Sequence, residues 1–130
     1  FTADRLISEL SKKTNIILVD FHAEATSEKV AMGHYLDGRV SAVFGTHTHV
    51  QTADETVLPR GTGYITDLGM TGPGHSVLGV EKKPVIQNFL DGIPQRFDVA
   101  NGKGQFCGCI FEIDEETGKT VSMERIFLRD

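Results

Sequence analysis

Three of the five histidines occupy positions that suit metal binding. His47 and His49 form an H-x-H pair within residues 45–49 (GTHTH), and His22 lies in a separate segment. On an extended backbone, residues two positions apart lie on the same face, so both imidazoles of the pair can enter one site. Imidazole nitrogens bind zinc, iron, manganese and related ions. These residue types and this spacing predict that His22, His47 and His49 are metal ligands.

Each histidine segment follows a short apolar run that predicts a strand buried on both faces. Residues 16–19 precede Asp20, Phe21 and His22, and residues 41–44 precede the H-x-H pair. A helix predicted over 26–36 separates the runs, so the two strands should be parallel and joined by a crossover helix. Ligands of open α/β sheets bind beyond the carboxyl ends of the strands, and neighbouring strands lie about 5 Å apart. We therefore expect the three imidazoles to converge at one sheet edge.

Other polar residues near the histidines have less specific roles. Asp20 either orients a ligand or caps a turn, and Thr46 and Thr48 point away from the H-x-H face towards backbone or ligand-orienting partners. His34 falls inside the predicted helix, which favours a packing or surface role. His75 falls in a glycine-rich loop, which favours a solvated position.

The remaining pattern predicts an α/β chain that forms a single domain over 1–130 and ends in antiparallel β structure. A helix is predicted over 3–13, a hairpin from 56–58 and 63–66, a long glycine-rich loop over 67–80, and a short helix over 85–90. Strands are predicted over 96–99, 105–113 and 120–128, with a polar turn over 114–119.

Composition limits the classes of partner. The formal net charge is -5, which argues against non-specific binding to duplex DNA or to an anionic membrane. No apolar run is long enough to span a bilayer, and no export signal is visible. Cys107 and Cys109 are too close along a strand for an unstrained disulfide. Two free thiols lead us to expect a cytoplasmic protein.

Three longer segments resemble a known family. They are residues 20–29 (DFHAEATSEK), 45–54 (GTHTHVQTAD) and 65–73 (ITDLGMTGP). The H-x-H segment resembles the terminal motif of calcineurin-like metallophosphoesterases. Together, the three segments are similar to the YmdB-type branch of cyclic-nucleotide phosphodiesterases. The resemblance extends over essentially the whole chain.

The resemblance implies a four-layered α/β sandwich with a centre of two divalent or trivalent metal ions. Iron or manganese is expected in preference to zinc. His22 would be the isolated ligand and His47 and His49 the closing pair. The family's N-terminal Asp, Glu-Asn and Asn-His motifs, which supply a bridging carboxylate and a general acid, do not occur in this sequence. The chain would therefore be the C-terminal half of the sandwich. Catalytic and substrate-binding residues stay unassigned.

The function expected from this resemblance is hydrolysis of 2′,3′-cyclic nucleotides or related phosphodiesters. Three neutral imidazoles cannot bridge two ions, so we expect the chain alone to be inactive and to pair with an N-terminal half or with a second copy. The alternative is a stand-alone mononuclear metal-binding or interaction module without catalysis. The two hypotheses differ in whether the native protein carries the missing motifs.

Overall fold

Two β-sheets and three helices make up the chain, which a computed structural model describes over residues 1–130. The helices are α1 (Thr2–Leu10), α2 (Thr26–Leu36) and α3 (Lys82–Asp91). The strands are β1 (Leu18–His22), β2 (Ala42–Thr46), β3 (Thr56–Val57), β4 (Gly63–Ile65), β5 (Gly72–Pro73), β6 (Gly104–Ile113) and β7 (Thr120–Arg129).

The first sheet has the strand order β1-β2-β4-β3. Strand β2 pairs in parallel with both β1 and β4, and α2 makes the crossover from β1 to β2. Strand β3 pairs antiparallel with β4, as the predicted hairpin requires. The second sheet is antiparallel, with the order β5-β6-β7. The predicted α/β class, with parallel strands followed by an antiparallel C-terminal β region, is confirmed.

The first sheet lies between helices α1 and α2 on one face and the second sheet on the other. Along β2, Val43 packs into a core cluster with side chains of α1 and α2, while Phe44 points the other way and lies 6.2 Å from Phe111 of β6 between ring centroids. This alternation is the period of two that a strand imposes. The buried members of the cluster are Ile7, Ile17, Leu36, Val40, Val43, Leu58 and Tyr64.

The two strands that carry the predicted ligands begin and end later than their apolar runs. Strand β1 continues through His22 because Asp20, Phe21 and His22 pair with Phe44, Gly45 and Thr46. Backbone hydrogen bonds hold this part of the ladder, and they do not require apolar side chains. His22 is thus the last residue of β1, and His47 is the first residue after β2.

Three other predictions from the pattern are wrong in detail. Strand β1 is not buried on both faces: it is an edge strand, and Leu18 is 53% exposed. Residues 96–99 form no strand, and only Val99 makes a bridge, to Val80. Helix α1 ends at Leu10, so the residues at 11–13 form a turn after it. The predicted loop over 67–80 is confirmed except for the short strand β5.

Helix α3 begins at Lys82, three residues before the predicted start, and ends where Gly92 adopts a left-handed conformation with φ 71°. The longest of the three helices has 11 residues. None of the helices is long and apolar enough to cross a membrane.

Gly45, the next-to-last residue of β2, is closely enclosed by its neighbours. A Cβ at this position would overlap the carbonyl oxygen of Thr66 and lie 2.8 Å from Cδ of Lys29. The Lys29 side chain comes from α2 and passes directly over Gly45 into the interior. Only glycine leaves room for both neighbours.

We expect Gly45→Ala to reduce the free energy of unfolding by about 3 kcal/mol or more, because the added methyl group collides with backbone as well as with a buried side chain. Urea unfolding followed by circular dichroism measures the change. Gly104→Ala is the matched control, since its Cβ would meet no atom closer than 3.7 Å. Equal effects of the two substitutions would refute this role of Gly45.

Candidate metal centre

His22 and His47 meet at the carboxyl edge of the parallel sheet. Nδ1 of His47 lies 3.2 Å from Nε2 of His22, and the two rings are 5.0 Å apart at an interplanar angle of 80°. Strand pairing causes this, because His22 stands opposite Thr46 in the ladder and His47 follows directly. The predicted convergence is confirmed for these two rings.

This separation suits nitrogens that share one ion. Two nitrogens that each lie about 2.1 Å from a tetrahedral ion are about 3.4 Å apart. Both side chains are accessible at the sheet edge, so an ion can reach them. The donor chemistry and spacing of His22 and His47 therefore fit one edge of a metal site.

A hydrogen-bonded chain orients His22. The Thr46 hydroxyl donates to Oδ1 of Asp20 at 2.9 Å, and the hydroxyl oxygen itself lies 3.0 Å from Nδ1 of His22. Because the one hydroxyl proton of Thr46 is committed to Asp20, Thr46 accepts a hydrogen bond from Nδ1–H of His22. This assigns the proton to Nδ1 and leaves the lone pair of Nε2 facing His47. Histidines that bind metals usually donate their other ring N–H in this way, and the chain of Asp20 and Thr46 fixes the orientation of the His22 ring.

His49 is not gathered into the same cluster. Its Nδ1 lies 3.2 Å from the carbonyl oxygen of Leu78, which assigns the proton to Nδ1 and leaves Nε2 free. No group of three His, Cys, Asp or Glu side chains has the geometry to hold a single ion. The three histidines therefore do not form a group for a single ion, and the role of His49 as a metal ligand stays a prediction.

The backbone of the H-x-H pair is not extended. His47 and His49 have φ values of 125° and 62°, and Leu78, which accepts from His49, has a φ of 52°. Non-glycine residues rarely adopt positive φ, and each such residue stores about 1–3 kcal/mol of strain. The chain after β2 is thus a strained turn, and contacts from the rest of the fold must hold it.

A buried ion pair supplies those contacts. Nζ of Lys29 lies 2.7 Å from Oδ2 of Asp67, and the two side chains are 1% and 0% exposed. The same Oδ2 accepts from the amide of Thr48, between the two histidines, and Oδ1 accepts from the amide of Gly69. Burial by itself raises the pKa of the Asp67 carboxyl, but the hydrogen bonds from Lys29, Thr48 and Gly69 outweigh it and hold the pKa below its usual value. Asp67 therefore stays ionised and clamps the histidine turn.

This pair was not predicted from the sequence, although one signal was present. Lys29, Gly33 and Leu36 are the buried residues of α2, and they fall at helical spacing on one face. A lysine on the inward face of a helix requires a buried anionic partner. Its partner lies 38 positions along the chain.

A second network ties the residues after the histidine pair to the end of β4. Asp54 accepts from the hydroxyl of Thr52 at 2.6 Å, from the amide of Thr66 at 3.2 Å, and from the Thr66 hydroxyl. His34 and His75 lie apart from both networks and are exposed, as the sequence predicts. The site therefore consists of a rigidly held turn that presents imidazoles to solvent.

Comparison with known proteins places these features in a family. The model of the family described as YmdB-like protein matches residues 1–126. A curated relative, the 2′,3′-cyclic-nucleotide 2′-phosphodiesterase of Bacillus subtilis (strain 168), is 56% identical over 128 residues, which cover 98% of this chain and 48% of the relative. The chain spans 42% to 48% of the length of the curated relatives it matches.

Two solved structures have the same fold. A crystal structure of a novel phosphatase from Mycoplasma pneumoniae has a TM-score of 0.92 at 42% identity, covering 98% of this chain and 45% of that one. A crystal structure of a hypothetical protein from Thermus thermophilus has a TM-score of 0.89 at 48% identity, covering 98% of this chain and 49% of that one.

We expect Lys29→Met to lower the free energy of unfolding by about 3–5 kcal/mol, because it leaves Asp67 charged, buried and without its cation. The loss should shrink as the pH falls below about 4. The pKa of Asp67 is lowered in the folded chain, so its contribution is present above its unfolded pKa and is lost as the pH falls through the folded value. Urea titrations at several pH values measure both effects.

Glu9→Gln provides the control for Lys29→Met. It removes the exposed ion pair of Glu9 with Arg5, which should change stability by less than about 1 kcal/mol at any pH. A similarly small effect of Lys29→Met would show that the buried pair does not hold the turn.

We expect Thr46→Val to weaken metal binding about 10-fold to 100-fold, because it removes the hydroxyl that fixes the His22 ring while conserving shape. Calorimetric titration with Mn²⁺ or Zn²⁺ measures the dissociation constant. Thr56→Val is the control, since Thr56 is exposed on β3 and lies away from the histidines. An unchanged dissociation constant in Thr46→Val would exclude the orienting role.

Proposed function

Because the chain belongs to the family of YmdB-like proteins, we propose that it forms part of a metal-dependent phosphodiesterase acting on 2′,3′-cyclic nucleotides or related phosphodiesters. The observation that carries the proposal is the approach of His22 and His47 to 3.2 Å at the carboxyl edge of a parallel sheet. The activity named for the Bacillus subtilis relative supports the choice of substrate class.

We propose His22, His47 and His49 as ligands of two ions, iron or manganese in preference to zinc. Two such ions in a phosphoesterase supply Lewis acidity and an activated water for in-line displacement at phosphorus. His22 and His47 bring two nitrogens within 3.2 Å of each other, whereas His49 bonds the Leu78 carbonyl and does not complete a group of three around one ion. This arrangement supports a site in which His47 and His49 bind two different ions.

The nearby carboxylates of this chain have other partners. Asp20 accepts from Thr46, and Asp67 is enclosed by Lys29 and two backbone amides. A dinuclear centre needs anionic ligands to neutralise its charge. We propose that these ligands, together with the general acid, come from the remainder of a longer protein, since the matched relatives are about twice the length of this chain.

The surface of the first sheet supports pairing with further protein. A groove of about 380 Å³ lies between α1 and the open edge of β1, and nine of its eleven lining residues are apolar. Leu6, Leu10 and Leu18 are each more than 40% exposed there. We propose that the remainder of the protein or a second copy covers this groove. A cytoplasmic location is part of the proposal and agrees with the free thiols of Cys107 and Cys109.

We expect the 130-residue chain alone to hydrolyse 2′,3′-cyclic nucleotides at a negligible rate, even with manganese or iron added. The absence of a general acid by itself lowers the rate about a hundredfold or more. Supplying the remainder of the longer protein should restore turnover, and His49→Ala in the restored enzyme should abolish most of it. The rate is measured by chromatography of the 3′-nucleotide product.

His34→Ala is the control, because His34 is exposed on α2 and contacts none of the ligands. Turnover by the chain alone that is lost in the His47→Ala, His49→Ala double variant would mean that Asp20, Glu24, Asp67 or His75 completes the site. Turnover that survives the double variant would refute the site itself. Metal binding without turnover in the longer protein would favour the mononuclear module.

A further inference from the structure

A cleft of about 370 Å³ runs from His49 to the last strand, β7. Its walls are the histidine turn, the loop after β5, and the faces of β6 and β7. His22 and His47 do not line it, so the cleft begins at the proposed metal site and leads away from it. Its volume falls within the range of small-molecule sites, about 300–1,000 Å³.

Two arginines line the cleft, and they differ in how their charge is compensated. Nε of Arg125 lies 3.3 Å from Oε2 of Glu55, and its Nη1 donates to Gln51 at 3.2 Å. Arg129 pairs with no carboxylate anywhere in the chain. Its Nη2 donates once, to Oε1 of Gln105 at 2.9 Å. Most of the five N–H donors that a guanidinium carries are therefore available to a ligand.

The Arg129 side chain is exposed, and two contacts orient its guanidinium. Its Cζ lies 5.2 Å from the centroid of the Phe127 ring, a distance at which a cation is attracted to the aromatic face. Gln105 is oriented in turn, because its amide nitrogen donates to the carbonyl of Met70 at 3.3 Å. An oriented guanidinium without a counter-charge suits a phosphate, which it can bind through two parallel hydrogen bonds.

We propose that this cleft binds a second phosphate of the nucleotide substrate, on the 5′ side of the nucleoside whose cyclic phosphate is cleaved, with Arg129 as its anchor. The proposal rests on the proposed function, which places the scissile phosphate at the histidines. A second phosphate occurs either as a 5′-phosphate on a mononucleotide or as the preceding phosphodiester of an oligonucleotide. Both present non-bridging oxygens to the guanidinium.

The test compares three probes: adenosine 2′,3′-cyclic phosphate, its 5′-phosphorylated form, and a dinucleotide that ends in the same cyclic phosphate. Each is titrated into the protein with EDTA present, so that binding is measured without turnover, and the side-chain amide signal of Gln105 is followed by NMR. We expect a two-phosphate probe to bind about tenfold more tightly than the one-phosphate probe. The probe with the larger gain identifies the source of the second phosphate.

Variants of Arg129 separate this site from the rest of the protein. Arg129→Gln should abolish the advantage of two phosphates over one, and Arg129→Lys should keep only part of that advantage. Arg96→Gln, which changes an arginine that is 91% exposed and outside the cleft, should keep all of it. Equal affinities for all probes in the wild type, including undetectable binding, or an advantage that persists in Arg129→Gln, would overturn the assignment.

The outcome is distinguishable from a failure of the proposed function. If the metal-loaded longer protein hydrolyses the one-phosphate substrate, but the one-phosphate and two-phosphate probes bind with equal affinity, the phosphodiesterase activity stands and the cleft assignment falls. If the advantage depends on Arg129 but no cyclic phosphate is hydrolysed, the anion site stands and the proposed function falls.

Discussion

The buried pair of Lys29 and Asp67 is the interaction on which the histidine site depends. It joins α2 to the segment after β4 and, through the amide of Thr48, to the turn that carries His47 and His49. A buried ion pair of this kind contributes little net stability compared with apolar residues of the same volume, but breaking it leaves an uncompensated charge in the interior. Its effect is therefore to define one conformation of the turn, since alternatives that separate Thr48 from Asp67 lose a charge-assisted hydrogen bond.

This constraint accounts for features that otherwise look unrelated. The Lys29 side chain reaches Asp67 only by crossing β2, and it can cross only where Gly45 has no side chain. The same clamp compensates the strain of positive φ at His47 and His49. A strained turn keeps its imidazoles in place before any ligand arrives, and an oriented donor set binds with less loss of conformational entropy than a mobile one.

The two ends of the site are oriented by different partners. His22 and His49 both donate Nδ1–H to oxygen acceptors, but the acceptor is a side chain of the sheet, Thr46, in the first case and a loop carbonyl, that of Leu78, in the second. The His22 side is thus part of a continuous strand ladder, whereas the His49 side depends on the loop after β5. Since that loop also borders the cleft of Arg129, the position of His49 and the shape of the cleft are coupled through one segment.

Local pattern was sufficient wherever neighbours in sequence determine the outcome. The crossover helix over 26–36, the hairpin of β3 with β4, and the long strands β6 and β7 follow from periodicity and turn residues, and parallel pairing then brings His22 beside His47. Exposure of β1, by contrast, depends on how many strands flank it, and residues 96–99 have an apolar pattern but no partner strand. Only the tertiary structure decided the positive φ angles of His47 and His49 and the burial of Lys29. Both features depend on contacts with Asp67, which lies 19 positions after Thr48 and 38 positions after Lys29. The spacing of residues within one segment carries no information about such distant contacts.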